Sequence, residues 1–209
     1  MNKPKIVLIG AGGHARSCID VIEQENKFSI AGLIGSRDEL GTSVLEYKVI
    51  ATNDDLKKIS QDIRFALIAV GQIRTAQVRV SLFEEASAAG FEFPLIISPK
   101  AHVSRFASVG DGTIVMHGAT INSNAHIGKN CIINSHALIE HDSQIRDHSH
   151  ISTGAIINGG VVVGSHSFIG SRSVIREGIQ LGDQSMVSIG SVVARWPSGQ
   201  DAMPENMTK

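Results

Sequence analysis

Sixteen aliphatic residues recur at every sixth position: Val103, Val109, Val115, Ile121, Ile127, Ile133, Ile139, Ile145, Ile151, Ile157, Val163, Ile169, Ile175, Leu181, Val187 and Val193. Two places before each stands a second comb, running from Ala101 to Ser191, in which only Val161 and Ile179 are not small. An amphipathic helix repeats its apolar face every ~3.6 residues and a half-buried strand every ~2, so neither produces this spacing. A period of six is the mark of a parallel β-helix. Each hexad points one aliphatic side chain inward, and the small residue lets the chain turn a corner. Since three hexads close a triangular coil, residues 18 apart in this sequence stack on one another. That interval makes the sequence a map of spatial neighbours.

The segment before the repeats follows another grammar. Lys5–Ile9 reads as a buried strand, Gly10–Gly13 as a turn, and 14–25 as a helix with Cys18, Ile19 and Ile22 on one face. Further strands are expected over 29–34, 49–50, 64–70 and 91–96, with helices over 54–59, capped by Asn53, and over 75–89. This alternation predicts an α/β N-terminal domain, a small Rossmann-like parallel sheet with helices on its faces. Pro94 and Pro99 punctuate the junction. The expected organisation is an α/β binding domain over 1–98, a β-helix over 99–196 and a polar tail over 197–209, beginning after Trp196. The outer faces of a β-helix are flat, and a closed homo-oligomer, a homotrimer, is the expected way to cover them.

Charge is nearly balanced, with 19 Lys and Arg against 20 Asp and Glu. No electrostatic footprint for nucleic acid or an anionic membrane results. No apolar run reaches the ~18 residues that span a bilayer. The N-terminal apolar stretch is too short for a signal peptide and runs straight into a glycine turn. Cys18 in a helix and Cys131 at a coil corner argue against a disulfide, which fits a reducing cytoplasm.

Seven of the nine histidines fall between His117 and His166. Most read as tolerated polar residues of the coil exterior: His102, His117, His126 and His136. His141 differs by position. It stands in I-E-H-D, near a corner, with Asp142 beside it to hold one ring nitrogen and leave the other as a proton acceptor. That is the arrangement of a general base. The residue 18 further on is Gly159, whose backbone N–H, one coil above, is placed to meet a developing oxyanion. Glu140 stacks between Asn122 and Asn158 by the same rule. His148, His166 and Asn130 also share a column, but two imidazoles and an amide are a poor ligand set, and the expectation is surface stacking with no metal. His150, nine residues after His141, belongs to a different face of one protomer. In a trimer, a groove between neighbours could combine residues from both.

Gly10–His14 follows a strand and opens a helix, which aims backbone N–H groups at a possible phosphate. The full dinucleotide fingerprint is not met, because Arg16 and Ser17 stand where its last glycine would fall. Gly71 ends a second strand, and two glycine loops at strand ends mark the usual binding crevice of a parallel sheet.

Taken together, I-G-A-G-G-H, A-V-G-Q-I-R, I-N-S-H-A-L-I-E-H-D, I-S-T-G-A-I-I-N-G-G and the hexads resemble the bacterial sugar O- and N-acyltransferases of the sialic-acid O-acetyltransferase family, over nearly the whole chain. That family includes acetyltransferases of nucleotide-linked 4-amino sugars. The resemblance implies a left-handed β-helix and a homotrimer using acetyl-CoA, with the active site between adjacent β-helices. It assigns the base to His141, its acidic partner to Asp142 and the backbone donor to Gly159. It places His150 near the thioester, Ser171 and Ile189 along the pantetheine arm, and Asn134 close to the acceptor amine. Gly12, Gly13, His14 and Gly71 match the loops that hold the nucleotide sugar. Two departures stand out. Gly35-Ser36-Arg37 replaces an acidic pair expected after the second strand, which leaves Arg37 as a candidate phosphate contact. Ala202-Met203-Pro204-Glu205-Asn206 replaces a G-x-P-A-K-like segment near the cofactor.

The implied reaction is acetylation of the amino group of a nucleotide-linked sugar in bacterial surface-glycan synthesis, by direct attack on the thioester. The rivals are O-acetylation of a sialic-acid-like sugar, a non-catalytic β-helical scaffold, and a metal-dependent carbonic-anhydrase-type β-helix, for which His117, His136 and His141 supply no obvious ligand geometry.

Overall fold

The computed structural model describes residues 3–195; Trp196 and the 197–209 tail, including Ala202-Met203-Pro204-Glu205-Asn206, lie outside the described residues. The described residues form two compact units: 3–71 with Gln77–Ile97, and Gln72–Ala76 with 98–195.

The first unit comprises β1 (Lys5–Ile9), α1 (Gly13–Glu25), β2 (Ser29–Gly35), β3 (Ser43–Val44), β4 (Tyr47–Thr52), α2 (Leu56–Ile59), β5 (Phe65–Ile68) and α3 (Gln77–Ala88). Its sheet runs β3-β4-β2-β1-β5. All pairings are parallel except the hairpin β3–β4. Strand β1 is central, and Ile6, Val7, Leu8 and Ile9 are fully buried. A strand covered on both faces requires just such an unbroken apolar run. Helix α1 buries Ala15, Cys18, Ile19, Val21 and Ile22. The chain proceeds from β1 to β2 and β4 on one side, then returns to β5 on the other. Strand order therefore reverses between β1 and β5, and the crevice beyond their carboxyl ends is where open α/β sheets take ligands.

Two local expectations are corrected. Asn53 does not cap α2: it opens a 3-10 turn over Asn53–Asp55 that Thr52 caps, its N and Oγ1 both bonded to the Asp55 carboxylate at 3.0 and 3.1 Å, and α2 follows with Asp55 as its own cap residue. The strand expected over 91–96 shrinks to a bridge between Glu92 and Phe65 and the short strand Ile96–Ile97. Pro94, lacking an N–H, interrupts the ladder.

In the second unit each hexad contributes one two-residue strand, sixteen in all from His102–Val103 to Val192–Val193. Each pairs in parallel with the strand 18 residues away, as in Ile121 with Ile139 and Ile139 with Ile157, so three parallel sheets wall a triangular left-handed β-helix. The inward aliphatics Ile121, Ile133, Ile139, Ile151, Ile157, Ile169 and Ile175 are 0% exposed. Each such burial is worth about 1.5–3 kcal/mol over exposure.

The small comb lies at the corners. Thr113, Cys131, Ser149, Ser167 and Ser185 form one buried column. Their side chains donate inward, Thr113 to Gly128 O at 2.8 Å and Ser149 to Gly164 O at 2.9 Å. They also receive the next coil's amides, from Cys131 N at 2.9 Å, Ser167 N at 3.2 Å and Ser185 N at 3.0 Å. A corner with no room for a large side chain thus satisfies backbone groups that burial would otherwise strand. The turns use left-handed residues. Asn124, Asn130, His136, Asp142, His148, His166, Arg172 and Gln184 all have φ between 49° and 62°.

Candidate active site

His141 and Asp142 follow the short strand Leu138–Ile139, in the turn that leaves one sheet for the next. The left-handed conformation of Asp142, φ 61°, folds its carboxylate back onto the preceding ring. His141 Nδ1 lies 2.7 Å from Asp142 Oδ2. Asn124, one coil below, donates from Nδ2 to Asp142 Oδ1 at 2.7 Å. The hydrogen bond to Asp142 raises the His141 pKa above the ordinary histidine value, and the Asp142 and Glu140 charges act the same way. Asn124 first, then His141, lower that of Asp142. With Nδ1 committed, Nε2 is the nitrogen available to a substrate proton, and the side chain is 65% exposed.

Gly159 lies directly against the ring. A Cβ built on it would fall 2.8 Å from His141 Cε1 and 2.9 Å from Nε2. Only a glycine fits so close, and its N–H meets no backbone acceptor among the described residues. The His141 carbonyl accepts from Gly160 N at 3.0 Å, which ties the two coils at this point. Glu140, His141, Asp142, Asn158, Gly159, Gly160, Glu177 and Gly178 line an open depression of about 640 Å³. Glu140 Oε2 is held by Asn122 Nδ2 at 2.8 Å, as the 18-residue stacking predicts.

His150 and Asn134 form a second group. His150 is 6% exposed, its Nδ1 is 2.7 Å from Gln72 O and its Nε2 3.1 Å from Asn134 Nδ2. The ring meets Phe168 edge-on, with centroids 5.2 Å apart. His150 stands on the strand His150–Ile151, in a different sheet from Leu138–Ile139, the strand that His141 follows, as expected for different faces of one protomer. Ser171 and Ile189 are coil neighbours: Ser171 O accepts from Gly190 N at 2.8 Å, Ser171 Oγ meets Ser152 Oγ at 2.9 Å, and Ile189 is 74% exposed.

In the first unit, Gly12 is the N-terminal cap residue of α1 and Gly13 its first residue, with no side-chain cap and no acidic residue in the first turn. A Cβ on either would meet nothing within 4 Å. Gly71 packs beside His14, its would-be Cβ 3.6 Å from that of His14. The two glycine loops therefore meet at the switch point. Gly35 ends β2, Ser36 is bonded to Glu39 Oε2, and Arg37 gives its guanidinium to Asp54 at 2.8 Å on the exposed surface.

The His148–His166 column departs from the surface stacking expected. The rings are parallel at 5.3 Å, but His148 is only 7% exposed, and Asn130 Nδ2 lies 3.0 Å from its Nδ1. The segment from Gln72 lies over this region, Gln72 Nε2 reaching Ser167 O at 3.1 Å. Nothing in the repeat pattern announces a covering segment so far away in sequence. Asn124 and Glu177 were missed for a lesser reason: both fall on the 18-residue ruler, from Asp142 and Gly159 respectively. Among the described residues no cluster of three or more metal-ligating side chains occurs, and no helix is long and apolar enough to cross a membrane.

A solenoid of hexad coils carrying a carboxylate-paired histidine beside a glycine belongs to the class of β-helical acyltransferases. Residues 5–86 match the PglD N-terminal domain, 106–141 the bacterial transferase hexapeptide and 160–195 the hexapeptide repeat of succinyl-transferase. No curated protein matches. Among solved structures, PerB from Caulobacter crescentus in complex with CoA and GDP-perosamine is 30% identical over 91% of this chain and 89% of that one, with a TM-score of 0.85. The H141N mutant of perosamine N-acetyltransferase from the same organism, with CoA and GDP-perosamine, is 29% identical over the same shares, TM-score 0.86. The acetyltransferase domain of PglB from Neisseria gonorrhoeae, in complex with acetyl coenzyme A, is 28% identical over 92% of this chain and 93% of that one, TM-score 0.82. The chain belongs to the hexapeptide-repeat sugar acyltransferases with a PglD-type N-terminal domain, and it is an acyltransferase.

Proposed function

We propose that this protein transfers the acetyl group of acetyl-CoA to the amino group of a nucleotide-linked amino sugar. The observation that carries the reading is the His141–Asp142 pair at 2.7 Å with Gly159 against the ring. His141 Nε2 accepts the proton that the amine gives up as its nitrogen attacks the thioester carbonyl, forming the C–N bond. The Gly159 N–H stabilises the charge that develops on the carbonyl oxygen. The C–S bond then breaks, and His141 returns the proton to the departing thiolate. Asp142 holds the ring and favours its protonated form during the step. No covalent enzyme intermediate is involved, and Cys131 is a buried corner residue.

An amine acceptor suits the charges better than a hydroxyl. Glu140, Asp142 and Glu177 line the depression, and among the described lining residues there is no lysine or arginine. That lining attracts an ammonium, which sheds one proton to solvent to become the neutral amine and gives up its second to His141 as it attacks. The structural neighbours with CoA, GDP-perosamine and acetyl coenzyme A support the same donor and acceptor classes, and the perosamine enzyme's own histidine mutants support a histidine base. The crevice between β1 and β5, with Gly12, Gly13, His14 and Gly71, takes the nucleotide. We place the reaction in a homotrimer, in the cytoplasm where acetyl-CoA and nucleotide sugars are available. One sheet's outer column, Leu138, Ile156, Val174 and Val192, is apolar, and Val192 is 75% exposed, which favours burial against another copy. Such packing lets His141 of one protomer share a groove with His150 and Asn134 of the next, with Ser171 and Ile189 along the pantetheine arm.

The test is thiol release from acetyl-CoA across nucleotide-linked amino sugars and sialic acids, with His141→Ala beside the wild type. The expected result is turnover with an amino sugar, reduced about 10²- to 10⁴-fold in the variant while the oligomer persists. Wild-type turnover by His141→Ala sinks the assignment.

A further inference from the structure

Gln72 is an odd residue to bury. It is 2% exposed, its Nε2 donates to Ser167 O at 3.1 Å, and its Oε1 is enclosed with no hydrogen-bond partner among the described residues. An unmet buried amide oxygen is destabilising, and an apolar side chain of similar size would avoid that cost. The main chain at Gln72 shows what the position does. Its carbonyl oxygen lies 2.7 Å from His150 Nδ1. A carbonyl can only accept, so the proton is on Nδ1. In the neutral ring Nε2 then carries a lone pair, and the atom that meets it at 3.1 Å is Asn134 Nδ2, a donor. Donation therefore runs in a fixed order: His150 to Gln72, Asn134 to His150. The Asn134 amide has no freedom to flip. Its Oδ1 faces away from the ring, where it accepts Ser135 N at 2.8 Å and retains a second lone pair.

We propose that Gln72 is a positioning residue for acyl transfer: through the tautomer of His150 it orients Asn134 so that Oδ1 accepts an N–H of the attacking amine. A neutral primary amine has two N–H groups and one lone pair. Anchoring one N–H on Asn134 leaves the lone pair for the thioester carbonyl, which a flipped amide, presenting its own N–H, would oppose. The Gln72 side chain acts by pinning its own carbonyl over His150 through the bond to Ser167. This inference rests on the amino-sugar N-acetyltransferase reading and adds to it the group that orients the acceptor.

Two measurements separate the inference from that reading. In ligand-free protein labelled with 15N-histidine, the His150 resonances, assigned by their loss in His150→Gln, are expected to show a protonated Nδ1 and an unprotonated Nε2. A protonated Nε2 with bare Nδ1 overturns the proposal whatever the enzyme's activity. In Gln72→Leu the anchor on Ser167 is removed. The expected result is a mixed His150 tautomer and a kcat lowered about 10- to 100-fold, with the acetyl-CoA KM changed less than about twofold. Wild-type kcat in that variant overturns the proposal. If Gln72→Leu does not fold, Asn134→Asp replaces it. Its carboxylate has no N–H to give Nε2, while Gln72 O still accepts from Nδ1, so the same loss of kcat and a His150 ring protonated at both nitrogens are expected at unchanged melting temperature, and full activity overturns the proposal. Wild-type protein that acetylates no amino sugar while His150 shows the expected tautomer overturns the N-acetyltransferase reading and the role given to Asn134, and leaves the tautomer assignment standing.

Discussion

Replacing Gly159 by alanine adds one carbon at the most crowded point of the site. That carbon would stand 2.8 Å from His141 Cε1 and 2.9 Å from Nε2. Ordinary carbon contacts are about 3.5–4.0 Å, so the imidazole has to retreat by about 0.6–1 Å. The ring is exposed and can swing aside, at the expense of the 2.7 Å bond from Nδ1 to Asp142. A displacement of about 1 Å at a reacting group costs on the order of 100-fold in rate, or about 2.7 kcal/mol on the barrier. Stability should barely change, within about 0.5 kcal/mol, because the Gly159 backbone is not left-handed and the displaced ring is at the surface. Gly160→Ala supplies the contrast. Its Cβ meets nothing within 4 Å, but its φ is +66°, so it should lose about 1–2 kcal/mol of stability without touching the ring. Thiol-release kinetics and thermal melting of both variants, with oligomeric state checked, measure the two effects separately. Gly159→Ala with wild-type kcat would refute the claim that this glycine and His141 form the reacting site.

The His141 shift makes a pH prediction. A base must be neutral to accept a proton, and its pKa is raised, so kcat should begin to fall on acidification above the ordinary histidine value of about 6.5. Asp142→Asn removes the main cause of the shift, and the acid limb should move to lower pH while kcat drops; an unmoved limb assigns it to another group. Gly10→Ala tests the first unit's loop. With φ at +118° and a Cβ only 2.6 Å from Val70 Cγ2, it should destabilise by about 2–4 kcal/mol in urea unfolding, from backbone strain and overpacking together. A loss under 1 kcal/mol would show that the loop yields more easily than its packing implies.

The β-helix was legible because its period belongs to no other architecture, and the 18-residue interval carried that legibility into the site. It led from His141 to Gly159, and from Glu140 to Asn122, before any side chain had been placed. The same ruler stacked His148 on His166 but missed its burial, and it could not give the surroundings of His150, which depend on Gln72, a residue outside the repeats that stacking arithmetic cannot reach. Errors in the first unit have local causes. Asn53 looked like the better cap, but Thr52 ends β4 in an extended conformation and finds Asp55 three residues on, the geometry a capping box requires. Phe91–Ile96 has the composition of a strand, yet Pro94 leaves Glu92 alone to bridge to Phe65.

The buried corner column from Thr113 to Ser185, hydroxyls apart from the Cys131 thiol, has a consequence for how this enzyme can change length. Each coil carries its own coupling to the next, so the solenoid is additive in whole turns and intolerant of fractions. One residue inserted between His141 and Gly159 would rotate the glycine off the ring. A full coil of 18 residues inserted beyond Gly178 would leave that pair untouched and extend the solenoid by about 4.8 Å. Reach along the coils and chemistry at the corner are therefore independently adjustable. A longer acyl donor could be accommodated by duplicating a turn, with the base and its glycine inherited unchanged.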